Sequence, residues 1–227
     1  RVDQVRQLIR TSGAGTLSWM TTWEGMNYFR TSTGIVPFQQ QLGVAIVLAD
    51  PLGPPDGIAT SAREFIAAAE NAALTPCFFS ASQPTHDAMP SGWRSLIVAD
   101  DTIVDLPGLE FTGKAWQPVR GSFNRGERDG MTFRMTRLID EPWGVVQQLR
   151  AISEMWVGDK GLPEMRFTLG TLVEAKDPEV RLALAISPQG DVDGFLSWLP
   201  VYGPGGVHRG WTLDLMRRRE GGFGPVM

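Results

Sequence analysis

The chain has 227 residues, 42% of them hydrophobic and 20% charged, and a formal net charge of −4, as in ordinary globular proteins with a large core. No run of about 18 apolar residues occurs, which excludes a membrane-spanning helix, and the single cysteine excludes an internal disulfide. Two histidines and one cysteine offer no metal-ligand spacing, so we expect a cytoplasmic protein of a reducing compartment without a metal site.

The first half of the chain predicts strands that alternate with one helix. Residues 58–73 place apolar side chains on one helical face, after a turn rich in proline and glycine. Cys77 lies in an apolar strand, where we expect a buried and unreactive thiol. The predicted strands are 16–20, 42–49, 75–80, 94–99 and 101–106.

The second half predicts two helices, at 113–130 and 141–156, and more strands. In the first of these helices, Trp116, Val119 and Phe123 are expected to face inward. The predicted strands are 131–138, 180–187, 192–202 and 210–217. This order predicts a mixed α/β chain in two halves, residues 1–110 and 111–227, with the boundary near 107–113.

Positive charge is concentrated in one segment of an otherwise acidic chain. Residues 1–110 carry six arginines and no lysine against eleven acidic residues, whereas residues 113–137 carry six basic residues against two acidic ones. Within that segment the side chains of Arg120, Asn124 and Arg128 recur every four residues along a helix, with Arg125 beside them. Guanidinium groups in a line suit a phosphodiester or a carboxylate, although a solvated helix side has the same pattern.

The terminal strand, residues 210–217, carries an aspartate inside an apolar run. Asp214 cannot stay charged in an apolar layer without a partner, so it is either paired or faces a polar cavity. Strict alternation places Arg218 on the face of Asp214 and Arg217 on the opposite face, unless the strand bulges. A further acid, Glu164, lies in a loop marked by glycine and proline.

Several of these segments together resemble a known family. "ADPLGP" follows a buried strand, and "VDLPGLEFTGKAWQPVRGSFNRGERDGM", "WVGDKGLPEMRFTLG" and "WTLDLMRR…GFGPVM" follow in that order. From about residue 40 to the end, the chain resembles the C-terminal catalytic domain of the multiple peptide resistance factor family, which are phosphatidylglycerol aminoacyltransferases. The resemblance implies tandem acyltransferase-like halves related to N-acetyltransferases, each with a central mixed sheet flanked by helices.

The resemblance also implies a reaction, in which an amino acid moves from aminoacyl-tRNA to the hydroxyl of a lipid such as phosphatidylglycerol or diacylglycerol. An aminoacyl ester is already activated, so the transfer needs a base and oxyanion donors but no cofactor. The implied partners are aminoacyl-tRNA and a phospholipid, with peripheral contact at the inner face of the membrane and no DNA. The family's pattern makes Asp214 and Arg217 the candidate catalytic residues. The candidate substrate-binding residues are Arg120, Asn124, Arg125, Arg128, Glu164 and Arg218.

The sequence departs from the family at both ends. It lacks the family's N-terminal membrane domain and the segment that follows G-x-x-x-M, so we expect the second half to be truncated at its C-terminus. Two other functions stay open: an acyl-CoA-dependent N-acyltransferase, and a non-catalytic domain that binds tRNA or anionic lipid through residues 113–137. The glycine-rich pyrophosphate turn of acyl-CoA enzymes is absent from the sequence.

Overall fold

A computed structural model describes residues 2–160 and 167–226 of the chain. The helices in these ranges are α1 (Val2–Ser12), α2 (Ile58–Asn71), α3 (Gln83–Asp87), α4 (Gln117–Arg128) and α5 (Trp143–Lys160). The strands are β1 (Asn27–Arg30), β2 (Ile35–Gln41), β3 (Val44–Leu48), β4 (Thr75–Phe79), β5 (Thr132–Thr136), β6 (Arg181–Ile186), β7 (Val192–Tyr202) and β8 (His208–Arg218).

The strands form two four-stranded sheets. The first has the order β1-β2-β3-β4, with antiparallel pairs except for the parallel pair β3–β4, which α2 connects. The second has the order β5-β6-β7-β8, in which β5–β6 and β6–β7 are antiparallel and an irregularity lies between Ala185 and Ile186. The predicted mixed α/β class with helix-flanked sheets is thus confirmed, and the terminal strand lies in the second sheet.

Contacts between residues divide the chain into two compact units. Unit 1 comprises residues 1–99 and 200–212, and unit 2 comprises residues 100–199 and 213–227. Strands β7 and β8 therefore contribute residues to both units. The predicted division into halves 1–110 and 111–227 stays a prediction.

The apolar face of α2 forms the centre of the core of unit 1. Its side chains Ala62, Phe65, Ile66 and Ala69 are buried, as their helical spacing predicts. Phe65 contacts three further rings, with centroid distances between 5.2 and 6.1 Å. Those rings belong to Phe29, Phe38 and Phe78. Because the apolar face of α2 packs against the first sheet in this way, strands β1 to β4 and α2 share a hydrophobic core.

The strand predicted at 16–20 is wrong, because this segment forms a 3₁₀ helix over Ser18–Thr22. The hydroxyl of Thr21 donates to the carbonyl of Ser18 at 2.6 Å, and that of Thr22 donates to the carbonyl of Trp19 at 2.8 Å. Threonine hydroxyls that bond the backbone three residues earlier favour a tight turn over an extended chain. All five residues of the turn are buried, so the apolar residues of this segment predicted its burial correctly but not its conformation.

The strands predicted at 94–99 and 101–106 are also wrong. The chain is described in both segments and has no regular secondary structure there. Their large apolar side chains are exposed, namely Leu96, Ile97, Val98, Ile103, Val104 and Leu106. A strand is stabilised by a neighbour, and alternation in the sequence cannot reveal whether a neighbour exists. Conversely, α1, β1 and β2 were not predicted.

Cys77 corrects a further expectation. Its side chain is exposed, because β4 is the outermost strand of the first sheet and Cys77 lies on the outward face. The prediction of a buried thiol is therefore wrong. A membrane-crossing helix would need a length and an apolarity that no helix in residues 2–160 and 167–226 has.

Candidate functional site

Strand β8 carries the predicted catalytic aspartate in a half-buried position. The Oδ1 atom of Asp214 accepts a hydrogen bond from the backbone N–H of Gly170 at 2.8 Å. This contact joins β8 to a segment 44 residues earlier in the chain and holds the carboxylate in a fixed position. The carboxylate is thus compensated by at least one donor, as its place in an apolar run requires.

The three arginines at and just after the end of β8 have different surroundings. Arg217 is only 2% exposed, and its guanidinium lies 4.6 Å from the ring centre of Trp156 in α5. This distance is that of a cation–π contact. Leu215 is buried as well, whereas Met216 and Arg218 are exposed. Burial therefore alternates over residues 215–218, with Arg218 on the more open side, whereas Trp211 and Leu213, which strict alternation places on the face of Leu215, are exposed.

The third arginine, Arg219, binds an acid that the sequence reasoning missed. Its Nε atom donates to Oδ1 of Asp193 at 3.0 Å, and Nη2 donates to the same oxygen. The other carboxylate oxygen accepts from the N–H of Phe223 at 2.9 Å, and the main chain of Arg219 donates to that of Asp193 at 2.7 Å. Asp193 is 3% exposed. A Cβ on Gly222 would come within 3.1 Å of it, so glycine is needed for this close approach. Asp193 thereby folds residues 219–223 into a compact turn.

The basic stripe of α4 is partly engaged within the protein. Arg120 is half-buried and donates to the carbonyl of Phe111 at 2.6 Å and to that of Gly113 at 2.9 Å, so it closes the preceding loop. The Nε atom of Arg125 lies 3.7 Å from Oδ2 of Asp129, and its guanidinium carbon lies 5.7 Å from the ring centre of Phe223. Asn124 and Arg128 are exposed to solvent.

The inward face predicted for α4 is wrong at two positions. Val119 is 44% exposed and Phe123 is 55% exposed, while Trp116 is half-buried against Phe111. The buried residue of α4 is Gly126, where an added Cβ would lie 3.4 Å from the ring of Phe133. A glycine at the contact lets the backbone of α4 come close to its neighbours, and no apolar side chain in the sequence marks the contact. The helix α4 therefore exposes both apolar side chains and arginines to solvent.

The predicted site residues thus fall on two elements of unit 2, α4 and β8. Glu164 lies outside the described residues. In the part of the chain that is described, no group of three or more histidine, cysteine, aspartate or glutamate side chains is placed to hold a metal ion.

Comparison with known proteins decides the family. A family model described as "Phosphatidylglycerol lysyltransferase, C-terminal" matches residues 6–227. The chain belongs to this family. The resemblance predicted from the motifs is confirmed, and the match extends it toward the N-terminus.

Individual members of the family agree with the match. The chain is 35% identical to an uncharacterised protein of Corynebacterium glutamicum, over 99% of this chain and 29% of that protein. It is 28% identical to the lysylphosphatidylglycerol biosynthesis bifunctional protein LysX of Rhodococcus jostii, over 81% of this chain and 16% of that protein. The chain therefore spans less than a third of the length of these curated relatives.

A solved structure confirms the fold. The structure of L-PGS from Bacillus licheniformis superposes with a TM-score of 0.81 at 25% identity, over 96% of this chain and 66% of that one. This chain and that protein thus share the same mixed α/β fold.

Proposed function

We propose that this chain is the transferase domain of a phosphatidylglycerol aminoacyltransferase, with aminoacyl-tRNA as donor and the lipid's hydroxyl as acceptor. The family match over residues 6–227 carries the proposal. The relatives named for lysylphosphatidylglycerol biosynthesis support a lipid product at the level of the family. The proposal includes the fold relationship implied by the motifs, in which the two sheets belong to tandem acyltransferase-like halves related to N-acetyltransferases.

The proposed reaction is a single ester exchange. The lipid hydroxyl oxygen attacks the carbonyl carbon of the aminoacyl ester, and the bond from that carbon to the ribose oxygen of tRNA breaks. The proton of the lipid hydroxyl ends on the released ribose oxygen, so atoms and charges balance without a cofactor. Such a reaction needs a group that orients or accepts the proton and donors for the oxyanion. Asp214 is our candidate for the first role, because β8 and Gly170 hold its carboxylate in place.

The neighbouring charges take separate roles in this proposal. Arg217 is buried against Trp156, which favours a positioning role for the end of β8 over direct contact with a substrate. Arg218 is exposed and suits a phosphate of the lipid or the tRNA. Glu164 remains our candidate for the ammonium group of the transferred amino acid.

The surface of α4 suits a negatively charged partner. Its exposed arginine and exposed Phe123 and Val119 combine a cation with apolar side chains, a combination typical of helices at a membrane surface. We therefore propose that the domain works at the inner face of the membrane, with the phospholipid acceptor close to α4 and the tRNA phosphates within reach of the same arginines.

Arg128→Gln is expected to weaken tRNA binding and to reduce the slope of log affinity against log salt by about one. Arg128 is exposed, so the change removes a cation without disturbing the fold. Binding is measured by titration of tRNA at several salt concentrations. Arg63→Gln, at an exposed arginine of α2, is the matched control. If the slope of log affinity against log salt is equal for both variants, the α4 stripe is only a solvated helix side.

Arg120 is a poorer probe, because its loss would also release the carbonyls of residues 111 and 113.

The function itself is tested by incubating the intact protein with labelled aminoacyl-tRNA and phosphatidylglycerol vesicles. Label in the organic phase supports transfer to lipid. Tight tRNA binding without any transfer would favour the non-catalytic domain. Transfer from labelled acyl-CoA to an amine, with none from tRNA, would favour the N-acyltransferase.

A further inference from the structure

A row of four aromatic rings lies in unit 1, and neither the proposed reaction nor the sequence motifs account for it. The ring centroids of Trp19 and Tyr202 are 5.8 Å apart, those of Tyr202 and His208 are 5.7 Å apart, and those of His208 and Trp211 are 4.2 Å apart. Trp19 is 1% exposed, Tyr202 is half-buried, His208 is exposed and Trp211 is 36% exposed. The aromatic row therefore runs from the core out to solvent.

Rigid elements hold this row. The residues that follow α1 contact the end of β7, since the N–H of Ala14 donates to the carbonyl of Tyr202 at 3.0 Å. Gly13 has a φ of 73°, and a Cβ there would come within 2.7 Å of the nitrogen of Pro204. The hydroxyl of Thr212 also donates to the carbonyl of residue 16 at 2.5 Å. These contacts hold the chain segments that carry the row against one another.

Arginine side chains accompany the rings. The guanidinium carbons of Arg6 and Arg10 lie 5.3 and 5.6 Å from the ring centre of Trp19. Arg209 is exposed on β8 between His208 and Trp211 in sequence. Arg209 therefore supplies a cation next to the exposed end of the row, whereas Arg6 and Arg10 lie against the buried ring of Trp19. Aromatic faces combined with cations form the usual platform for single-stranded nucleic acid.

We propose that the aromatic row is a stacking platform for the single-stranded 3′ end of the donor RNA. Bases stack on the open rings of His208 and Trp211, and Arg209 contacts the adjoining phosphates. The proposal rests on the proposed function, which supplies aminoacyl-tRNA as the donor. A membrane is the poorer occupant, because the turn beside the rings is rich in glycine and Val207 is the only large aliphatic side chain between Tyr202 and Trp211.

The platform is tested with a 5′-dye-labelled single-stranded RNA oligonucleotide that ends in CCA, whose fluorescence anisotropy is followed as the protein is titrated into it. Trp211→Ala and His208→Ala are each expected to weaken binding by about 5- to 100-fold. Arg209→Gln is expected to reduce the salt slope by about 0.7, the share of one phosphate on a single strand. Trp143→Ala is the matched control, because Trp143 is 77% exposed but lies in α5 of unit 2.

The outcomes separate the platform from the proposed function. Unchanged oligonucleotide affinity in the Trp211 and His208 variants overturns the platform, whether or not lipid is aminoacylated. If Trp211→Ala weakens binding to phosphatidylglycerol vesicles but not binding to RNA, the platform is overturned and the row is a membrane contact instead. If the oligonucleotide stacks on Trp211 while no transfer to lipid is detected, the platform stands and the proposed reaction fails.

Discussion

Asp214→Asn is expected to leave the fold intact and to lower aminoacyl transfer to lipid by about 10²- to 10⁴-fold, as the loss of an acid–base or orienting group does. The asparagine oxygen can still accept the hydrogen bond from Gly170, so the contact that fixes this part of β8 survives. The substitution removes the negative charge and the ability to take a proton, and it turns one oxygen acceptor into an NH₂ donor. Transfer is measured per folded molecule in the intact protein, and thermal unfolding is measured on the same samples.

Asp214→Ala separates a catalytic role from a structural one. Alanine removes the acceptor for the Gly170 N–H as well as the charge, so it should lower both the transfer rate and the melting temperature. If Asp214 only holds residue 170 in place, the asparagine variant would transfer at nearly the normal rate and the alanine variant alone would be impaired. That pattern would remove Asp214 from the proposed reaction.

Asp193→Ala is expected to lower the free energy of unfolding by about 1–3 kcal/mol, the usual effect of removing a buried acceptor of charge-assisted hydrogen bonds. Asp193 is 3% exposed and accepts hydrogen bonds from the guanidinium of Arg219 and from the N–H of Phe223. Its removal leaves these donors without their acceptor and leaves residues 219–223 without the anchor of their turn. Denaturant unfolding of the 227-residue chain measures the change.

Asp191→Ala is the control for that experiment. Its carboxylate lies 3.9 Å from Nη1 of the same arginine, but its side chain is 51% exposed. An exposed pair contributes about 0–1 kcal/mol, so this variant should unfold almost like the original. Equal effects of the two alanine substitutions would mean that Asp193 does not anchor the turn.

The features that the sequence predicted correctly depend on residues close together in the chain. The buried face of α2 follows from apolar side chains spaced three and four residues apart. The features that it missed depend on partners far along the chain. Residues 94–106 have an amino-acid pattern typical of strands, yet a strand forms only beside another strand, and no local pattern reveals whether one is there. The docking of α4 at Gly126 leaves no apolar letter to read.

The same distinction applies to the candidate site. An aspartate in an apolar run pointed to Asp214, and the same reasoning applied to "VDGFL" would have identified Asp193. Its partner Arg219 is 26 residues away, and the neighbouring arginines are equally plausible partners by sequence alone. The aromatic row escaped detection because it joins Trp19 to residues 202–211, which are far apart in the chain.

The outward position of Cys77 has a practical consequence. It is the only cysteine in the chain and it is exposed on β4, so a thiol-reactive dye or spin label will attach at one known position without any substitution. Such a label reports on unit 1, the unit that carries the aromatic row, and leaves the residues of α4 and β8 unaltered. The same thiol predicts covalent pairs of chains when the protein is purified without a reducing agent, visible as a doubled mass on a non-reducing gel and abolished by Cys77→Ser.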